Sequence, residues 1–181
     1  MAATTSQKAR DLSYIGLCAA LMTLCAWITI PMPSGVGHTL QMLGVFLTLG
    51  LLGGKRGTTA VLVYILLGAA GAPVFSGFRG GIGVLLGNTG GYILGFLLSA
   101  LLLWAMERVL GRDLPVLAAG MVLGLLLCYG FGTVWFMAIY AGQPMTWGAV
   151  LAWCVVPYAL PDLAKLALAL LLTRRLRRHI L

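Results

Sequence analysis

Four long stretches of this sequence contain no Asp, Glu, Lys, Arg or His, and they constrain the fold more than any other feature. They cover residues 12–30, 57–78, 80–106 and 114–161. A membrane-spanning helix needs about 20 consecutive, mainly apolar residues, so stretches of this length indicate helices that cross a bilayer. Charged residues make up 9% of the chain, against about 25% in soluble domains, and this excludes a soluble protein.

Glycine, proline and charged residues divide these stretches into helices. We predict an all-α integral membrane protein, a single transmembrane domain formed by a bundle of six transmembrane helices. The first helix ends at a turn over residues 31–35, and residues 141–144 divide the last uncharged stretch, which is too long for one crossing. The predicted helices cover about residues 12–30, 39–52, 58–70, 88–110, 115–140 and 146–172, with a glycine-rich outer loop over 71–91 and a basic tail over 174–181.

Basic residues are distributed unevenly between the two predicted faces of the membrane. Six crossings place ten Lys and Arg residues on one face and Arg79 alone on the other. Because cytoplasmic loops carry the excess of Lys and Arg, both termini are expected to be cytoplasmic. Basic residues at the cytoplasmic ends of helices also account for the net charge of +8. The charge therefore does not indicate nucleic-acid binding, and we expect no nucleic-acid partner. The ten residues are Lys8, Arg10, Lys55, Arg56, Arg108, Arg112, Arg174, Arg175, Arg177 and Arg178.

Asp162 and Lys165 lie within the last predicted helix. An ionisable residue inside a membrane span is a candidate functional residue, because inserting its charge costs about 2.5–3.5 kcal/mol. At a spacing of three residues the two side chains share a helix face and can neutralise each other. A structural ion pair between helices is one interpretation. Pro157 and Pro161 precede Asp162, and irregular backbone at membrane depth usually lines a cavity, which favours a ligand pocket.

The glycine-rich stretch of residues 71–92 is the second candidate region. Its glycines permit close backbone approach, and Arg79, Asn88, Thr89 and Tyr92 supply polar and aromatic groups. The guanidinium of Arg79 can hold a carboxylate through two parallel hydrogen bonds, or it can anchor the loop at lipid headgroups. The side-chain amide of Asn88 offers both a donor and an acceptor, as a ureido or amide ligand requires.

Motifs for catalysis, metal binding or ATP binding do not emerge from the sequence. The GLLGGKR segment at residues 50–56 lacks the spacing and the Ser or Thr of a phosphate-binding loop. The four cysteines lie singly in apolar stretches without metal-ligand spacing. We therefore expect no enzyme activity, no metal and no cofactor, and we expect that the chain cannot hydrolyse ATP.

A pair of small residues in the first predicted helix suggests a contact with another helix. Gly16 and Ala20 are four residues apart, and such small-xxx-small pairs let helices in membranes approach closely. We predict that Gly16 and Ala20 face a partner protein.

Three stretches of the sequence resemble the BioY biotin transporters, the substrate-binding S components of energy-coupling-factor (ECF) transporters. They are HTLQMLGV (38–45), GAPVFSG (71–77) leading to GNTGGY (87–92), and LPDLAK (160–165). Together with the six predicted spans, the resemblance covers nearly the whole chain. Asn88 departs from the family, in which proline is expected at this position in many members.

The resemblance implies a site for biotin, which has a ureido ring, an apolar thiophane and a carboxylated tail. It implies that Asp162 accepts a hydrogen bond from a ureido N–H. Either Asn88 or the backbone of Gly90 and Gly91 completes the contacts of that ring.

The carboxylate and the ring system of biotin would be held by other residues. Arg79 or Lys165 meets the carboxylate, and Tyr92 packs on the rings. The predicted ligand-binding residues are Arg79, Asn88, Thr89, Gly90, Gly91, Tyr92, Asp162 and Lys165.

Family membership also implies partners and a location. The expected partners are biotin, a transmembrane coupling protein, ATPase subunits of an ECF module and the lipid bilayer, here the bacterial cytoplasmic membrane. Three alternatives remain at this point: an S component for another vitamin such as riboflavin or thiamine, an intramembrane enzyme, and a structural membrane subunit without a ligand.

Overall fold

The computed structural model describes residues 5–31, 37–139 and 146–180. Within these ranges the chain forms seven helices and one two-stranded antiparallel sheet. The predicted turn at 31–35 falls mainly outside the described residues, and so do the predicted break at 141–144 and the end of the fifth predicted helix at residue 140. The elements are α1 (Thr5–Trp27), β1 (Thr29–Ile30), β2 (His38–Thr39), α2 (Gln41–Ala69), α3 (Ile82–Leu86), α4 (Gly90–Leu110), α5 (Leu114–Ile139), α6 (Trp147–Cys154) and α7 (Val156–Ile180).

Helix α2 folds back on itself at Gly53. The φ angle of Gly53 is +76°, a left-handed conformation that favours glycine. A Cβ placed on Gly57 would lie 3.2 Å from the Cα of Leu49, whereas eight residues of straight helix span about 12 Å. Residues 41–52 and 54–69 are therefore two arms that pack side by side, and they correspond to the second and third predicted helices.

Four helices are long and apolar enough to span a membrane, judged by length and composition among the described residues. They are Gln7–Trp27, Gly90–Leu110, Leu114–Ile139 and Val156–Arg177. The two arms of α2 lie in the centre, against α1, α4 and α7. Large apolar side chains such as Leu17 and Leu126 stay exposed, as expected for a surface that faces lipid. The chain is thus a mainly helical protein with several apolar helices.

Helices α4 and α5 pack closely because small residues face each other. A Cβ on Gly95 would lie 2.9 Å from the sulfur of Cys128, and one on Gly124 would lie 3.0 Å from the Cβ of Ser99. The Ser99 hydroxyl lies 2.6 Å from the Gly124 carbonyl oxygen and links the two helices. Close approach through small residues is the usual basis of helix packing in membranes.

The helix limits differ from the sequence prediction at four places. Helix α1 begins at Thr5 and ends at Trp27. The sixth predicted helix is two helices, α6 and α7, because the chain breaks at Val155 and Pro157, which has no N–H, follows in the first turn of α7. The glycine-rich loop contains the short helix α3, and α7 extends the basic tail as a helix to Ile180.

Candidate functional site

A cavity of about 720 Å³, including its mouth, lies where β2, the start of α2, the glycine-rich loop and helices α4, α5 and α7 meet. Apolar walls come from residues such as Phe75, Ile93 and Phe96. The polar side chains of the lining are Thr39, Gln41, Ser76, Arg79, Thr89, Tyr92, Tyr129, Tyr158, Asp162 and Lys165.

Asp162 and Lys165 form a buried ion pair on α7. The Lys165 Nζ lies 2.7 Å from Asp162 Oδ1, and the two residues are 7% and 6% exposed respectively. Their spacing of one helical turn places both side chains on the face that borders the cavity. The pair predicted from sequence is thus present, and it lines the cavity.

Two further groups hold this ion pair in position. The Tyr129 hydroxyl donates to Asp162 Oδ2 at 2.6 Å, and Lys165 Nζ donates to the backbone carbonyl of Thr39 at 2.6 Å. A carboxylate can accept about four hydrogen bonds and an ammonium group can donate three. Asp162 and Lys165 therefore keep capacity for a ligand that presents both a donor and an acceptor.

A chain of hydrogen bonds fixes the side chain of Gln41 at the start of α2. The Tyr64 hydroxyl donates to the carbonyl of Val74 at 3.0 Å, which commits its only proton. Tyr64 can then only accept from Gln41, whose Nε2 lies 2.7 Å away. Within the described part of the chain the carbonyl oxygen of the Gln41 amide thereby stays available, and Gln41 borders the cavity.

The glycine-rich loop brings Arg79 to the cavity. Phe75 and Arg79 pair as an isolated antiparallel bridge, with the Phe75 amide donating to the Arg79 carbonyl at 2.9 Å. The Arg79 Nε donates to the Ser76 carbonyl at 3.1 Å. Arg79 is exposed and also lines the cavity. Its guanidinium is therefore placed to bind a ligand carboxylate at the mouth of the cavity.

The predicted residues at the start of α4 have different positions. Thr89 and Tyr92 line the cavity, whereas Asn88, Gly90 and Gly91 do not. A Cβ on Gly90 would overlap the Leu85 carbonyl oxygen, and one on Gly91 would overlap the side chain of Trp135. In this structure the two glycines allow close packing of α4 against α3 and α5.

The hairpin of β1 and β2 borders the mouth of the cavity. The Thr29 and Ser76 hydroxyls lie 3.0 Å apart, and the His38 and Tyr158 rings lie 5.4 Å apart. Burial lowers the pKa of His38, the positive charge of Lys165 lowers it further, and Asp162 opposes this effect. The hairpin therefore connects the glycine-rich loop to α7. The lowered pKa favours the neutral form of His38.

The sequence prediction did not include Gln41, Tyr129, Thr39 or Tyr158 as site residues. Gln41 carries a usable signal, because a polar amide opens an otherwise apolar helix. Tyr129 lies in the middle of a long uncharged stretch and has no local signal. Its role depends on α5 lying next to α7, which local sequence does not specify.

Gly16 and Ala20 lie on an exposed face of α1. A Cβ on Gly16 would have no heavy atom within 4 Å. Leu17 and Leu24 are also exposed on this helix, at 68% and 55%. This face of α1 is open to another helix or to lipid.

Comparison with known proteins identifies relatives along the whole chain. The biotin transporter BioY of Thermotoga maritima is 40% identical over 169 residues, which cover 93% of this chain and 96% of that protein. The probable biotin transporter BioY of Pyrococcus horikoshii is 36% identical over 170 residues, covering 94% and 98%.

A solved structure shares the fold. The crystal structure of the S component for biotin from an ECF-type ABC transporter superimposes with a TM-score of 0.85 at 26% identity, covering 98% of this chain and 95% of that chain. The family model described as the BioY family matches residues 1–181. This chain therefore belongs to the BioY family.

Proposed function

We propose that this chain is the substrate-specific S component of an ECF transporter and that it captures biotin for transport across the membrane. The observation that carries the proposal is the ion pair of Asp162 and Lys165, held by Tyr129 inside a mainly apolar cavity. Relatives named as biotin transporters and a solved biotin S component support the choice of ligand.

The lining of the cavity matches the chemistry of biotin. Asp162 accepts from a ureido N–H, Lys165 donates to the ureido oxygen, and the free carbonyl of Gln41 accepts from the second N–H. The thiophane lies against apolar walls that include Phe75. Arg79, at the exposed end of the lining, binds the carboxylate of the tail.

We propose further that the chain crosses the membrane six times with both termini in the cytoplasm. Four crossings are the candidate spans, and the two arms of α2 supply two shorter ones. Arg56 pairs with Asp11 at 3.0 Å, and Arg177 donates to the Arg112 carbonyl at 3.3 Å. Basic residues of three segments, Arg56, Arg112 and Arg177, thus lie at the end opposite Arg79, which supports this orientation in a bacterial cytoplasmic membrane.

Transport against a gradient requires partners in this proposal. A transmembrane coupling protein and ATPase subunits of an ECF module supply the energy, and this chain binds neither ATP nor a cofactor. The exposed face of α1 with Gly16 and Ala20 is the proposed contact with the coupling protein, since small residues permit close helix approach.

Binding of radiolabelled biotin to purified variants tests the proposed site. Asp162→Asn keeps the shape of the side chain but loses a charged hydrogen bond worth roughly 1.5–3 kcal/mol. The affinity is expected to fall about 10–150-fold. Arg79→Ala is expected to lower the affinity for biotin but not for a biotin analogue without the carboxylate.

Two matched variants control for nonspecific effects. Asp113 and Arg175 are exposed and lie outside the cavity lining, so Asp113→Asn and Arg175→Ala should bind biotin like the wild type. Wild-type affinity in both Asp162→Asn and Arg79→Ala would refute the site.

A further inference from the structure

A second cavity lies at the opposite end of the helices. It is an open cleft of about 670 Å³, including the solvent at its mouth, between the bend of α2 and the last turns of α4. On α4, Arg108 follows Tyr92 by 16 residues, or about 24 Å of helix, so the two cavities lie near opposite surfaces of the membrane. The charged and aromatic residues that line it are Lys55, Arg56, Trp104, Glu107, Arg108 and Arg112.

One oxygen of the single carboxylate in this lining is engaged, and the other, Glu107 Oε1, is buried without a hydrogen-bond partner among the described residues. Glu107 Oε2 accepts from the backbone N–H of Gly54 at 2.6 Å and lies 3.6 Å from the Arg112 Nε. Glu107 thereby satisfies an N–H at the start of the second arm of α2. It also neutralises the guanidinium of Arg112.

The remaining basic residues carry an excess of positive charge. Arg56 pairs with Asp11 at 3.0 Å. Arg108 stacks over the Trp104 ring at 5.1 Å, and neither Lys55 nor Arg108 has a carboxylate partner in the described part of the chain. Two cations at the rim of a concave site are thus available for an anion.

The surroundings of the cavity favour an anion that carries apolar chains. Leu52 forms part of the wall, and Leu101 and Val109 on α4 are 42% and 82% exposed. Trp104 lies one turn before Arg108, close to the end of α4, and tryptophan is enriched where helices meet the membrane interface. Basic pockets between transmembrane helices on the cytoplasmic side bind lipid headgroups.

We propose that this cavity binds the phosphate of an anionic phospholipid, with Lys55 and Arg108 as the phosphate contacts. The acyl chains lie along the exposed apolar side chains of α4. A lipid in this place links the bend of α2 to α4 and stabilises the contact between Glu107 and Gly54. The proposal does not depend on the identity of the ligand in the first cavity.

Native mass spectrometry of the purified protein in detergent tests the proposal. The lipid-bound fraction is measured with a phosphatidylglycerol and with a phosphatidylcholine of the same chains, and separately with inorganic phosphate as competitor. The wild type should prefer phosphatidylglycerol. In Lys55→Gln/Arg108→Gln, losing two cations worth about 1 kcal/mol each should weaken phosphatidylglycerol binding about 30-fold.

The control variant Lys8→Gln/Arg10→Gln removes the same charge from the exposed start of α1 and should bind phosphatidylglycerol within about twofold of the wild type. Equal binding of the two lipids, or an equal loss in both double variants, overturns the proposal. Competition by inorganic phosphate at the same concentration as the lipid would identify a soluble-anion site instead. Unchanged lipid binding with loss of copurified ECF subunits in Lys55→Gln/Arg108→Gln would identify a protein interface.

Discussion

Removing the hydroxyl of Tyr64 tests whether the orientation of Gln41 contributes to ligand affinity. Tyr64 is fully buried, accepts from Gln41 Nε2 at 2.7 Å and donates to the Val74 carbonyl at 3.0 Å. Tyr64→Phe leaves two buried polar groups without their partner, at a cost of about 1–3 kcal/mol each to stability. It also lets the Gln41 amide rotate, so that its carbonyl no longer faces the ligand in a fixed orientation.

The expected effect on affinity follows from one neutral hydrogen bond. Such a bond contributes about 0.5–1.5 kcal/mol, so biotin should bind Tyr64→Phe about 2–12-fold more weakly. Isothermal titration of the purified variants gives the affinity, and thermal unfolding gives the stability. Tyr14→Phe, at a half-buried position on α1, is the control and should change neither quantity appreciably.

A double-mutant cycle separates orientation from general loss of stability. If Tyr64 acts through Gln41, then Tyr64→Phe should have little further effect on affinity once Gln41 is replaced by Ala. Strict additivity of the two changes, or wild-type affinity in a folded Tyr64→Phe variant, would refute the reasoning.

Three further predictions concern packing, pH and the partner. In Gly68→Ala the new Cβ would overlap the ring of Phe75 and should push that ring into the cavity, which weakens biotin binding at least about fivefold. Gly130→Ala, whose Cβ has no heavy atom within 4 Å, should bind biotin like the wild type, and equal titration curves for the two variants would contradict this prediction. Because the folded state holds the pKa of His38 below 6.5, the unfolded chain binds more protons, and the free energy of unfolding falls as pH drops below about 6.5. Urea unfolding of His38→Gln should therefore show a smaller loss of stability between pH 7 and pH 5 than the wild type, and the same pH dependence in both proteins would exclude the effect. Gly16→Leu should reduce copurification of ECF subunits without changing biotin affinity, whereas Gly130→Leu should change neither copurification nor affinity. Wild-type copurification of the ECF subunits with Gly16→Leu would argue against the α1 contact.

The sequence was sufficient to predict features that depend on local composition. Long uncharged stretches indicate the apolar helices, and the glycines before Lys55 indicate the reversal within α2, where Gly53 has a positive φ. Asp162 and Lys165 were identifiable because burying a charge in a membrane is costly. Each of these signals lies within one short segment.

The remaining features depend on contacts between distant segments. Tyr129 reaches Asp162 across 33 residues and Lys165 reaches Thr39 across 126, so no local pattern specifies either bond. Gly90 and Gly91 illustrate the opposite difficulty. Two adjacent glycines are compatible with a backbone that binds a ligand. Only the positions of the neighbouring helices show that Gly90 and Gly91 permit close packing.

Equilibrium binding of tritiated biotin to the purified wild-type protein tests the central claim most directly. We expect saturable binding of one biotin per chain that excess riboflavin or thiamine does not displace. The absence of saturable binding in folded protein, or displacement by either of these vitamins, would contradict it.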